Sequence, residues 1–444
     1  MSVDRTEIYA ERLSKLIQAE TVSVQSNSPE SRKEKAKFTA FQGLLRDMFP
    51  NIFRACEPSY FEGSLLLYWK GETDADPVML MHHHDVVEAP GEWKYPPFSG
   101  TVADGKIWGR GTLDTKNGLF AMLSAADELA AEGFVPKRDV YFFSGCDEET
   151  TGLGADTVSR VLKNRGIRFH MVLDEGGMMV HDPIGGADGT FALVGLGEKD
   201  CVELKFIARS GGGHAATPGR DTPLVRLGKF MAAVESSDIF TADIAPALCE
   251  MFSRLGSTMK QPLKGILSHP RLFKDTIVRS IPAVSDTAGA MLKTTIAFTM
   301  AEGSGGINVL PQEAWVIGDM RCSHHQGSKE SIEAIKKLAD KFDIDVVVLS
   351  RGFASPISDH KSPAFELIEK GVNRIFPGVI TTPYLMTGAS DCRFMSRISD
   401  NCFRFAPFLI TLNQLECIHG INENLDVSCL VPAVEFYKFI ITEA

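Results

Sequence analysis

The sequence has no Cys-x-x-Cys pair. Its nine cysteines, at 56, 146, 201, 249, 322, 392, 402, 417 and 429, are odd in number and scattered. That spacing excludes a thiolate zinc site and a disulfide framework, and reads as reduced core thiols in a reducing compartment. Nowhere do 18 apolar residues follow one another, and the first ten residues, M-S-V-D-R-T-E-I-Y-A, have no apolar signal core. A membrane-spanning helix is excluded, and a soluble, cytoplasmic chain is expected. Basic residues are in deficit, 46 Lys and Arg against 57 Asp and Glu, for a formal net charge of −11. Nucleic acid and anionic membrane are therefore poor partners, because both need clustered cations. Internal repeats, low-complexity tracts and charged tails are missing as well. So is the dinucleotide fingerprint of an oxidoreductase: Gly152-Leu153-Gly154 is followed by Thr157 where the third glycine belongs.

What is present is a chain of 444 residues, enough for two or three domains with full cores. Its chemistry gathers at Val78 to Val87, V-M-L-M-H-H-H-D-V-V. A short apolar run without helical period reads as a buried strand, and it ends on three histidines and an aspartate. His83 and Asp85 suit a metal-bound imidazole whose other ring N–H is held by a carboxylate; a satisfied histidine cluster at a strand end is the plainer alternative. By strand alternation His82 and His84 share the face opposite His83. Asp139 to Ser144 is a second strand pattern, running into Asp147, Glu148 and Glu149. His170 to Leu173 is a third, running into Asp174, Glu175 and Gly176. Asp114 stands between glycine-rich G-R-G and a helix pattern at Leu119 to Leu129, so it is either an N-cap or a ligand between two cations. Helix patterns at Leu119 to Leu129 and Ala155 to Leu162 separate the strands. In an open α/β sheet such strand ends converge on one crevice. Gly91 to Arg110 is too rich in proline and aromatics for a helix and reads as a functional loop.

Helix patterns at Glu7 to Ala19 and Glu30 to Phe49 are scaffold. After Gly197 come a strand (Val202 to Ala208), a helix (Pro223 to Val234), two strands (Thr294 to Met300, Glu313 to Met320), a helix (Lys329 to Phe342) and a last strand (Asp345 to Leu349). That order is a split βαβ, ferredoxin-like module, lengthened by the proline-bearing stretch Ser237 to Val284. Helical period resumes at Ser362 to Phe376, and Leu430 to Ile441 closes the chain. The expected division is 1–197 with 354–444 as one discontinuous domain and 198–353 as the insert.

Nine strings then occur in a telling order: H-H-D-V-V at 83–87, W-x-x-x-P-F at 93–98, G-R-G-T-L-D-T-K at 109–116, D-E-E at 147–149, L-D-E-G at 173–176, G-G-H-A-A-T-P at 212–218, N-V-L-P at 308–311, G-A-S-D at 388–391 and H-G-I-N-E at 419–423. In these the chain resembles the zinc metallopeptidase family of aminoacylase, carboxypeptidase S, carboxypeptidase G and succinyl-diaminopimelate desuccinylase. It looks closest to the carboxypeptidase S and N-acyl amino acid hydrolase branch. The resemblance implies an α/β catalytic domain, a mostly parallel sheet between helices, with an inserted α+β lid or dimerisation domain. It implies two zinc ions, replaceable by Co²⁺ or Mn²⁺, held by His83, Asp114 as the bridge, Glu149, Glu175 (Asp174 the alternate) and His419. Glu148 would be the general base and Asp85 the partner of His83. His214, often supplied by the partner subunit of a homodimer, would support the oxyanion. Asn308, Arg321 and Gly388 would contact substrate. Two zinc ions roughly 3.5 Å apart can share a water whose pKa falls toward ~7 and polarise an amide carbonyl. The expected substrate is a small peptide or N-acyl amino acid with a free carboxylate; a catalytically silent homologue is the alternative.

Overall fold

The computed structural model describes residues 5–24, 31–283, 285–353 and 355–444. Glu30, Val284 and Ala354, which bound three of the segments above, lie outside them, as do the first four residues. A ten-stranded sheet runs in the order Glu57–Phe61, Ser64–Trp69, Val140–Gly145, Val78–His83, Met171–Asp174, Cys402–Arg404, Thr190–Glu198, Met179–His181 and Leu409–Ile410, with Ile380–Met386 also paired to Thr190–Glu198. The sheet is mixed, but the three strands that end in ligand-type residues are parallel neighbours at its centre. Strands from 380–410 thus occupy places in the same sheet as strands from 57–198.

Val78–His83 is buried along its whole length. The reason is visible in its alternation. Val78 and Leu80 point into one core with the helices Arg5–Gln18, Lys116–Ala131 and Leu430–Glu443, while Met79 and Met81 point into another with Leu153–Asn164 and Cys392–Met395. A strand covered on both faces needs a continuous apolar run instead of an alternating one. Helix lengths exceed the sequence patterns slightly, as at Lys116–Ala131 and Leu153–Asn164.

The insert carries its own antiparallel sheet, Thr295–Glu302, Glu313–Cys322, Asp200–Arg209 and Asp345–Arg351 in spatial order. Pro223–Ser236 and Gly327–Ala339 pack on it around Phe206, Phe230, Val316 and Ile335. The stretch assigned to lengthening this module behaves differently. Helices Pro246–Thr258, Leu263–Leu267, Lys274–Ser280 and Asp286–Leu292 place Leu248, Phe252, Leu255 and Leu292 in the large core. Arg254 fastens them there, with Glu369 at 2.6 Å and the carbonyl of Thr381 at 2.7 Å. Their apolar faces match the large core, which sequence order alone did not reveal. The loop Gly91 to Arg110 also contains a small hairpin, Thr101–Ala103 with Lys106–Trp108, which pairs onward to Asn424–Asp426.

Candidate metal centre

Register puts His83 opposite Gly145 and Leu80 opposite Leu173, so the chain leaves three adjacent parallel strands at one edge. From that edge come His83 and Asp85, then Glu148 and Glu149, then Asp174 and Glu175. Asp114 arrives from the turn before Lys116–Ala131; Thr115, not Asp114, is the N-cap, and the Asp114–Thr115 peptide is cis. His419 follows the short helix Leu412–Glu416 with a backbone φ of +60°.

These side chains meet. Asp114 Oδ1 lies 2.9 Å from His83 Nε2, and its Oδ2 lies 3.2 Å from His419 Nε2. His419 Nε2 is also 3.0 Å from Glu149 Oε2. Ligand atoms of His83, Asp114 and Glu149 all fall within 4.8 Å of one another. Glu149 Oε1 is buried with no hydrogen-bond partner among the described residues. One carboxylate reaching an imidazole on each side, beside an orphaned carboxylate oxygen, fits a pair of divalent cations, and an all-N and O donor set suits zinc or its borderline neighbours.

The alternate pair, Asp174 and Glu175, differs in hydrogen bonding and in placement. Asp174 is buried and spends Oδ1 on the N–H of Glu175 (2.9 Å) and Oδ2 on the N–H of Cys392 (2.8 Å). Glu175 instead lines a cleft of about 420 Å³ together with Asp114, Glu148, Glu149 and His419. A larger hollow of about 700 Å³ lies by Phe38, Tyr60 and Asp147, but no histidine lines it.

Asp85 does more than the sequence suggested. His83 Nδ1 sits 3.0 Å from the backbone carbonyl of Asp85 and 3.4 Å from its Oδ1. The carboxylate, fully buried, accepts from Ser23 Oγ (2.7 Å) and from the N–H groups of Glu148 (3.2 Å) and Glu149 (3.1 Å). It therefore shapes the acidic turn as well as facing the ring of His83.

Electrostatics set the acids apart from ordinary surface carboxylates. Burial pushes Glu148 well above its usual range, reinforced by Asp391, Glu175 and Glu149. Burial does the same for Glu175, helped by Asp174 and Asp114, and raises Glu149. Asp114 moves the other way: burial opposes its charge, but His419 and His83 hold it low. His419 is raised to about 10 by Asp114 and Glu149. Burial disfavours a charged His83, yet Asp114 and Asp85 outweigh it and raise that imidazole too. Such like-charge crowding is relieved by bound cations.

His82 and His84 face away, as alternation predicted. His82 bonds Thr115 Oγ1 (3.2 Å) and Tyr437 OH (2.7 Å); His84 bonds Ser144 Oγ (2.7 Å) and stacks on Phe41. Burial drives both down to about 3, so they are neutral core residues.

Of the residues assigned to substrate, Arg321 and Gly388 line the cleft, whose other wall is Met178, Met386, Phe408, Ile410 and Ile418. Arg321 is held by Asp319 through Nε and Nη2, both at 2.9 Å. His214 and Asn308 are exposed and lie outside the cleft lining, on a two-stranded ribbon where His214 pairs with Val309. Sequence reasoning missed Ser23, Arg110 and Glu423. The last two sat inside the G-R-G and H-G-I-N-E strings, but nothing in a linear chain links positions so far apart.

A family model described as Peptidase family M20/M25/M40 matches residues 79–443. The chain belongs to this family. Over 98% of its length it is 30% identical to the N-fatty-acyl-amino acid synthase/hydrolase of Homo sapiens, covering 87% of that protein. To the probable carboxypeptidase S-like 2 of Dictyostelium discoideum it is 29% identical, over 97% of this chain and 84% of the relative. An M20 family metallo-carboxypeptidase of Sulfolobus solfataricus has the same fold, with a TM-score of 0.68 at 15% identity over 98% of each chain. This M20 chain is accordingly a metal-dependent hydrolase of the peptidase and amidohydrolase kind, in the branch of carboxypeptidase S and the N-acyl amino acid hydrolases. Among the described residues no helix is long and apolar enough to cross a membrane.

Proposed function

We propose that the chain hydrolyses the amide bond of a small peptide or N-acyl amino acid bearing a free carboxylate, using two zinc ions and Glu148 as general base. The observation that carries this reading is Asp114 set between His83 and His419 with Glu149, Glu175 and Glu148 around it. His83, Asp114 and Glu175 would hold one ion; Asp114, Glu149 and His419 the other. When bound, the ions supply Lewis acidity, polarising the amide carbonyl and acidifying a water. Glu148 takes the proton of the attacking water and delivers it to the leaving amine. Its burial among other acids favours the protonated form, which suits the second half of that task. Asp85 keeps Glu148 and Glu149 in place from beneath.

Arg321 receives the substrate carboxylate through Nη1, the fork edge that Asp319 does not occupy, and Asp319 fixes the plane of the fork. Gly388 leaves open space beside the cleft, where a Cβ would meet nothing within 4 Å. His214 and Asn308 serve the oxyanion of a second copy's substrate, in a homodimer formed through the insert; their exposure supports this. Nine unpaired cysteines suit a cytoplasmic setting. No observation favours a catalytically silent homologue, since all five ligand positions and the base are filled.

The test is a panel of dipeptides, longer peptides and N-acyl amino acids, each with its C-terminal amide as control, against the zinc-loaded chain. Hydrolysis confined to substrates with a free carboxylate supports the reading; hydrolysis of none, or equal hydrolysis of the amides, contradicts it.

A further inference from the structure

We propose that Arg110 and Glu423 are positioning residues: they form a reciprocal clamp that fixes the Asp114 turn against the His419 loop, and so govern one of the two ion sites. The inference rests on the assignment of Asp114 and His419 as ligands.

Glu423 lies four residues beyond His419 and is fully buried. Its carboxylate crosses to the other ligand's turn. Oε1 accepts the N–H groups of Leu113 at 2.7 Å and Asp114 at 3.2 Å. Oε2 accepts the N–H of Gly111 at 3.1 Å and Nη1 of Arg110 at 2.7 Å. Arg110, four residues before Asp114, returns the favour: its Nη2 donates to the carbonyl of Gly420, next to His419, at 2.8 Å. Gly109 adds an N–H bond to the Glu423 carbonyl at 2.9 Å. Each ligand-bearing loop therefore holds the backbone beside the other's ligand.

The His419 loop needs such a hold. His419 and Asn422 both have φ of +60°, a conformation that L residues adopt rarely, and the His419 side chain is 53% exposed. The proline and aromatic loop forms the outer half of the brace. Trp93 lies 5.2 Å from the Arg110 guanidinium, and the Lys94 N–H donates to Asn422 Oδ1 at 2.7 Å. Asp114 serves both ions but His419 only one, so loss of the clamp falls on the ion of Asp114, Glu149 and His419 more than on the ion of His83, Asp114 and Glu175.

The experiment uses the full chain reconstituted with zinc, equilibrated against chelators of graded strength, and then with cobalt for its visible spectrum. Glu423→Gln and Arg110→Lys are each expected to weaken one site about 10- to 100-fold, leave the other within about 3-fold, and shift the cobalt band of one site only. A purely structural role would change thermal stability without singling out one cobalt band. Asn422→Gly, which keeps the positive φ and removes only the Lys94 bond of the outer brace, is expected to weaken the same site about 3- to 10-fold and serves if the buried variants do not fold. Two unchanged sites, or equal weakening of both, in the folded variants overturn the clamp alone. A wild-type chain that binds no divalent ion overturns the ligand assignment and the clamp with it.

Discussion

The carboxylate of Asp85 accepts the backbone N–H of Glu148 at 3.2 Å. Asp85, two residues beyond the end of the His83 strand, thus sets the turn that carries the proposed base. An amide in its place would turn an NH₂ toward a backbone N–H, that of Glu148 or that of Glu149. Asp85→Asn should weaken metal binding about 10- to 100-fold without abolishing it, and excess zinc should restore part of the activity. Chelator competition measures it; unchanged affinity would contradict the role.

The three consecutive histidines should separate cleanly. His83→Ala is expected to lose metal and activity together, because its Nε2 faces Asp114. His84→Gln is expected to keep bound metal, because its Nδ1 bonds Ser144 and its ring stacks on Phe41, among core residues. Metal analysis of the two purified variants decides it; greater damage from His84 would mean that the strand presents the wrong face.

His84 carries a pH signature of its own. Its folded pKa, brought down to about 3 by burial, lies below the ordinary 6.5, so the unfolded chain takes up a proton that the native state refuses. The stability is complete above pH ~6.5 and is lost as pH falls toward 3, by about 1.4 kcal/mol per pH unit. Between pH 7 and 5, metal-free wild type should lose about 2 kcal/mol more than His84→Gln in urea unfolding. Equal losses would contradict a buried neutral His84.

Metal uptake should release protons. In the metal-free protein His419, raised to about 10 by Asp114 and Glu149, is protonated at pH 8, whereas a ligand imidazole must be neutral. Glu149 and Glu175 are raised as well, so affinity should climb with pH. Titration calorimetry in buffers of different ionisation enthalpy should record net proton release at pH 7; uptake would contradict the assignment.

Local chemistry was legible where it depended on neighbours in sequence. The burial of Val78–His83 on both faces, the opposite facing of His82 and His84, and Asp114 standing before a helix all follow from period and propensity. That Asp174 accepts the N–H of Cys392 could not be read that way, because the two residues lie far apart along the chain. The same holds for the helices between Pro246 and Leu292. Their amphipathic pattern says that one face is covered, but not that Glu369 and the carbonyl of Thr381 would receive Arg254. Arg110 and Glu423 meet only once the fold has closed, and a linear pattern carries no sign of their pairing.

The central claim is that Glu148 moves the proton in a metal-dependent amide hydrolysis, and one measurement tests it most directly: kcat of zinc-loaded Glu148→Gln on the best N-acyl amino acid or peptide substrate, with bound zinc quantified in the same sample. The account predicts a fall of about 10²- to 10⁴-fold with zinc content unchanged. Full hydrolytic activity in that variant would contradict it.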